Sequence, residues 1–193
     1  MAAEPEAAVR DEASGFVTYL AYLRESIAEA VLALSAEEQR TTRLASGWTP
    51  IELLSHVLHM ERRWFVWGFL GEQVTDPWGD WSRDDPWDGP ESGPEDGPEP
   101  RWQVPADVTA ESLAERLREV GARTTQVLAE HDLDEVAPPS LRWDHTDGTP
   151  SLRWICFHVL HEYARHAGHL DIAAELATPI RQQPVRGEDP PDR

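Results

Sequence analysis

The chain has 193 residues, a single cysteine and a formal net charge of −19, and this length suits one domain with a buried core. Such acidity opposes nucleic-acid phosphates and anionic membrane surfaces, so no nucleic acid and no membrane is expected as a partner. Cys156 alone makes no internal disulfide, no basic-then-apolar leader opens the sequence, and no apolar run approaches the ~20 residues of a membrane span, so a cytoplasmic protein is expected.

Residues 1–9 read as a flexible N-terminus. Over residues 10–34, Phe16, Tyr19, Leu20, Leu23, Ile27, Val31 and Leu34 recur at gaps of three and four, one apolar stripe of a helix. Ser35 and Glu38 have capping-box spacing for a short turn. Thr49-Pro50-Ile51-Glu52 is a stronger start signal, with Pro50 placed where a missing N–H costs nothing, and the helix it opens runs to a stop at Gly71. Residues 72–107 then crowd Pro, Gly, Asp and Glu into a long acidic connection. It carries Trp78, Trp81, Trp87 and Trp102, so part of it is expected to pack back on the helices, as a docked crossover or a lid. A third helix spans 109–131, with Leu113, Leu117, Val120, Thr124, Val127 and Leu128 inward. Thr149-Pro150 repeats the start signal for a last helix to 177, whose apolar positions include Leu152, Ile155, Val159, Tyr163, Ala167, Leu170, Ile172 and Leu176. With no strand-like alternation, the pattern predicts an all-α four-helix bundle over 10–178 and a disordered tail at 179–193.

The last helix concentrates the chemistry. At ~100° per residue, His158, Glu162, His166 and His169 share a stripe about 80° wide, with His161 further round. Glu162 and His166, four apart, can chelate one ion. His161 and His166, five apart, diverge by about 140° and cannot share it, so the HExxH-like look of His161-Glu162 is misleading. The second helix offers His56 or His59 as a further ligand. His56, set among Leu53, Leu54 and Val57, points to the core and is preferred; His59 borders Met60, Glu61 and Arg62, nearer the edge. Three ligands leave a position open for water or substrate, and imidazoles with a carboxylate suit zinc, nickel or iron better than calcium or magnesium. Cys156 reads as a buried, inert thiol. Arg165 and His169 are candidate catalytic helpers, although a salt bridge for Arg165 and a structural hydrogen bond for His169 are the commoner roles.

The segments WTPIELLSHVLHMERRWF (48–65) and RWICFHVLHEYARHAGHLD (153–171) resemble the DinB-like superfamily, in particular its actinobacterial branch related to mycothiol-dependent maleylpyruvate isomerase. The resemblance implies an up-down-down-up four-helix bundle with His56, Glu162 and His166 as metal ligands. It also implies a transferase or isomerase in which the metal activates the thiol of mycothiol or a similar cofactor toward a small electrophile, and a homodimer. A metal hydrolase using bound water and a non-enzymatic metal-binding or stress-response bundle are the competing expectations.

Overall fold

A computed structural model describes residues 4–6, 10–84, 86, 99–139, 142, 143 and 148–177. The expected tail at 179–193, Trp87, and residues 1–3 and 7–9 of the expected flexible N-terminus lie outside these. Four long helices form the fold: α1 (Glu12–Leu32), α2 (Pro50–Arg62), α3 (Ala110–Glu130) and α4 (Leu152–Ala177). Local chemistry sets their ends. Asp11 accepts from the Ser14 amide at 2.8 Å, and Thr109 accepts from the Ser112 amide at 3.2 Å. The Thr49 amide donates to Glu52 at 2.8 Å, the back-bond of the expected capping box. The Ser35–Glu38 spacing becomes a single 3₁₀ turn, Glu38–Arg40.

Two boundaries differ from the sequence expectation. The second helix does not run as one α-helix to Gly71, because Arg63–Phe69 is π-helical. The Trp143 indole donates to the Gly68 carbonyl at 2.8 Å, the carbonyl that an α-helix would reserve for the Glu72 amide, and that amide bonds Val66 instead. Gly71 still ends the segment, at φ +67°. The last helix begins at Leu152, two residues beyond the Thr149-Pro150 signal. Ser151 pairs with Val136 in an isolated antiparallel bridge, and its hydroxyl accepts from the Trp154 amide at 3.3 Å.

Contacts fix the helix directions. Arg153 near the start of α4 bonds Glu12 at the start of α1, so those two run parallel. Arg118 in α3 bonds Glu25 in the second half of α1, and Thr124 bonds Glu61 late in α2. Thus α2 and α3 run together, against α1 and α4: up-down-down-up. A parallel α2–α3 pair needs a connection that travels back along the bundle, which is why residues 72–107 are long.

The core joins Leu20, Ile27 and Val31 of α1 to Leu54 and Val57 of α2, Leu113 and Leu117 of α3, and Ile155 and Val159 of α4. Within it lies one polar knot, with a residue from each helix. Glu61, 0 % exposed, accepts two hydrogen bonds from Arg24 (2.9 and 3.0 Å), one from Thr124 (2.6 Å) and one from Tyr163 (2.5 Å). A Cβ at Gly121 would lie 2.5 Å from the Arg24 guanidinium, so a glycine in α3 makes room for the knot. Tyr19, counted in the first helix's apolar stripe, is 40 % exposed, and the apolar Ile172 and Leu176 of α4 are 51 and 53 % exposed.

Candidate metal centre

Two antiparallel helices supply the centre. His56 stands in the middle of α2, and Glu162 and His166 lie on successive turns of α4. One ligand atom from each, all within 4.8 Å of one another, could hold a single ion. The separation of His166 Nε2 from Glu162 Oε2 is 3.3 Å. Two ligands ~2 Å from a tetrahedral ion stand roughly 3.3 Å apart, so this edge already has the required dimension. The donor set of two imidazoles and a carboxylate suits zinc, nickel or iron.

The crossover contributes the residue that orients the centre. The His56 ring meets Asp80 Oδ2 through Nδ1 at 2.9 Å, which leaves Nε2 as its ligand atom. Asp80 is completely buried and also accepts from Arg63 at 2.5 and 3.1 Å. Burial alone would raise the Asp80 carboxyl pKa, but its bonds to His56 and Arg63 outweigh it and hold the group ionised below the usual range. Arg63 in turn lies 4.5 Å above the Trp78 ring. On its other side His56 stacks on Trp102, with centroids 4.1 Å apart and planes at 18°. Residues 80–82 and 101–103 clip the two arms of the crossover together: Ser82 N–H donates to Arg101 O at 2.8 Å and Gln103 N–H to Asp80 O at 2.9 Å.

Electrostatics keep His56 and Glu162 in their ligating forms. Burial pushes the His56 pKa down to about 4, against the pull of Asp80, so the imidazole is neutral at physiological pH. The hydrogen bond to His166 lowers the Glu162 pKa to about 2, so the carboxylate is ionised. The triad opens into a cavity of about 450 Å³ walled by Trp64, Trp78, Trp81 and Trp102. A second cavity, of about 340 Å³, lies beyond Trp48, Trp81 and Trp102, which line both.

A family profile described as mycothiol-S-transferase matches residues 15–179, from within α1 to just past α4. The chain belongs to the mycothiol-S-transferase family. That family lies within the DinB-like superfamily, with which the helical bundle and the possible metal site at His56, Glu162 and His166 are consistent. Comparison with curated proteins finds no significant match.

Other expectations for this mycothiol-S-transferase family member fare unevenly. His59 does not join the triad. Its Nδ1 lies 2.9 Å from the Ser55 carbonyl, and a Cβ at Gly79 would lie 2.9 Å from its Nε2, so the crossover covers the ring. His158 shares the ligand stripe but stacks on Trp154 (5.1 Å, 11°) and packs beside Trp64. His161 is exposed and faces away, as the helical spacing requires. Cys156 is buried, and desolvation raises its pKa to about 12, so the thiol is inert. Arg165 and His169 line the metal cavity. The expected salt bridge of Arg165 is absent among the described residues, since its side chain extends into the exposed mouth. No helix among the described residues is long and apolar enough to cross a membrane. Sequence reasoning missed Asp80 altogether. The available signal was an aspartate between two indoles, in Trp78-Gly79-Asp80-Trp81.

The depressed His56 pKa has a sign that can be tested in the metal-free chain. Below its ordinary value of 6.5 the unfolded chain binds a proton at His56 that the native chain refuses until about 4. Stability therefore falls as pH drops through that window, by about 2–3 kcal/mol between about pH 7 and pH 4.5 from this group. Urea unfolding at both pH values should show that component, and His56→Asn should remove it. An identical pH profile in the two proteins would mean that His56 is not held neutral.

Proposed function

We propose that this chain is a divalent-metal-dependent transferase that joins a low-molecular-weight thiol of the mycothiol type to a small electrophile. The proximity of His56, Glu162 and His166, braced by Asp80 and open to a cavity, carries the reading. A cation held there, zinc being the best fit to the donors, would supply a positive charge that lowers the pKa of a nearby thiol.

The protein's own residues account for the remainder. Asp80 and Trp102 fix the His56 ring, so Nε2 faces Glu162 and His166 without reorganisation. The indoles of Trp64, Trp78, Trp81 and Trp102 give the cavity beside the triad an apolar wall. In the reaction the thiol proton leaves to solvent, the sulfur–carbon bond forms, and the bond from carbon to its leaving group breaks. Two substrates must be present together, and the two cavities sharing the Trp48, Trp81 and Trp102 wall offer separate room for the thiol's body and the electrophile. That pairing favours transfer over hydrolysis, which needs a single organic substrate. Turnover of mycothiol with iodoacetamide, followed by loss of free thiol, should exceed the uncatalysed rate, stop on chelation and return with zinc. A metal-replete protein that leaves the uncatalysed rate unchanged with this and other electrophiles would defeat the proposal.

A further inference from the structure

We propose that the smaller cavity seats a polyhydroxylated ring, the sugar-like body of the thiol, with Trp48 as its platform and Arg101 as a specificity-determining residue. The inference rests on the transferase reading and gives that reading's thiol partner a place. Local chemistry builds the seat. Gly47, in the left-handed region at φ +83°, turns the chain ahead of α2, and Trp48 follows just outside the Thr49 cap. Glu52 stands one turn along. Its Oε2 accepts from the Thr49 amide at 2.8 Å, so Oε1 is the atom it can offer a ligand. Arg101 comes from the clip in the crossover. Its carbonyl accepts from the Ser82 amide at 2.8 Å and its own amide donates to Ser82 Oγ at 3.1 Å, so the exposed side chain starts from a fixed point.

The lining sets the Trp48, Trp81 and Trp102 indoles beside the Ser46 hydroxyl, the Glu52 carboxylate and the Arg101 guanidinium. A sugar or cyclitol ring answers both halves. The C–H groups of its face meet the electron-rich face of an indole, and its rim hydroxyls both donate to a carboxylate and accept from a guanidinium. Position then decides what such a ligand does. His56, Glu162 and His166 line the larger cavity and not this one, so a ring held here keeps its reacting atom elsewhere. One indole separates the two places. The Trp102 ring centroid lies 6.3 Å from that of Trp48 on one side, and 4.1 and 5.5 Å from those of His56 and His166. Mycothiol carries its thiol on an amide arm of five bonds, roughly 6 Å when extended, from an uncharged sugar–cyclitol body. With that body on Trp48, the arm passes Trp102 to the triad and the larger cavity stays open for the electrophile.

N-acetylcysteine is the same thiol arm without the sugar–cyclitol body, so calorimetric titration of it and of mycothiol into the zinc-loaded full chain isolates what the body adds. Mycothiol should bind roughly tenfold or more tightly than N-acetylcysteine. Trp48→Ala should bring that ratio below about threefold, with Trp48→Phe keeping part of it, and Arg101→Ala should lower it by about threefold. The affinity for N-acetylcysteine should stay within about twofold in each variant, which shows the triad intact. Equal binding of the two thiols to the wild type, or no binding of either, would overturn the inference. So would a ratio that Trp48→Ala leaves unchanged. Trp48 lines both cavities, whereas Arg101 lines only the smaller one. A ratio lost in Trp48→Ala and untouched in Arg101→Ala would therefore place the body beside the metal and overturn the assignment as well. The readout is binding, so the two proposals fail separately. Absent turnover with a mycothiol preference that depends on both residues would remove the transferase reading alone, and turnover without that preference would remove this one.

Discussion

Replacing Glu61 with alanine is expected to lower the free energy of unfolding by about 3–5 kcal/mol, as removal of one partner from a buried charge pair does. The carboxylate takes hydrogen bonds from three helices, and without it the Arg24 guanidinium, 7 % exposed, stays buried with no counter-charge. The Tyr163 and Thr124 hydroxyls would also lose their acceptor. Thr124→Val removes one donor and leaves the ion pair intact, so it should cost only about 1–2 kcal/mol. Urea denaturation of the three proteins measures both values. A loss under about 1 kcal/mol for Glu61→Ala would mean that water or a rearranged side chain reaches the knot. The knot matters for the site because Glu61 lies five residues beyond His56 on α2, and Tyr163 lies between Glu162 and His166 on α4. It ties together the two helices that bring the ligands face to face.

Asp80→Asn is expected to weaken metal binding by about 10–100-fold with little change in the helices. The amide keeps the shape of the carboxylate but loses the charge that anchors Arg63 and steadies the His56 ring. Competition with a chromophoric chelator gives the affinity directly. An unchanged affinity would show that stacking on Trp102 alone sets the ring.

Much of this architecture was legible in sequence, because periodicity and capping are local. The Phe16–Val31 stripe, the Ser35–Glu38 spacing and the Thr49-Pro50-Glu52 start each act within a few residues of themselves. The same holds for the stripe that joins Glu162 to His166 and excludes His161, which follows from the helical repeat. What was not legible depends on contacts across the chain. At the end of the π-helical stretch Arg63–Phe69 the Gly68 carbonyl is taken by Trp143, 75 residues away. The start of α4 depends on Ser151 pairing with Val136. Asp80 looks like any acid of an acidic loop until the crossover folds back and buries it against His56 and Arg63. His56 and His59 were separable only in part, because both are buried; the difference is that His56 opens on the cavity while His59 lies beneath Gly79.

The parallel run of α2 and α3 links these points. It requires a long return, the return passes over the mouth of the bundle, and its indoles and Asp80 finish a site that the helices only begin. The crossover is in this sense part of the centre, and changes at Trp78 or Trp102 should be felt there.

Metal content per chain tests the centre most directly. After equilibration with zinc and gel filtration, elemental analysis should find about one ion per chain in the wild type and in His161→Ala. His56→Ala, Glu162→Ala and His166→Ala should each retain below about 0.1 per chain. A wild type equally devoid of metal would contradict the account. So would loss of the ion in His161→Ala, which would place the ligands on a different face of α4.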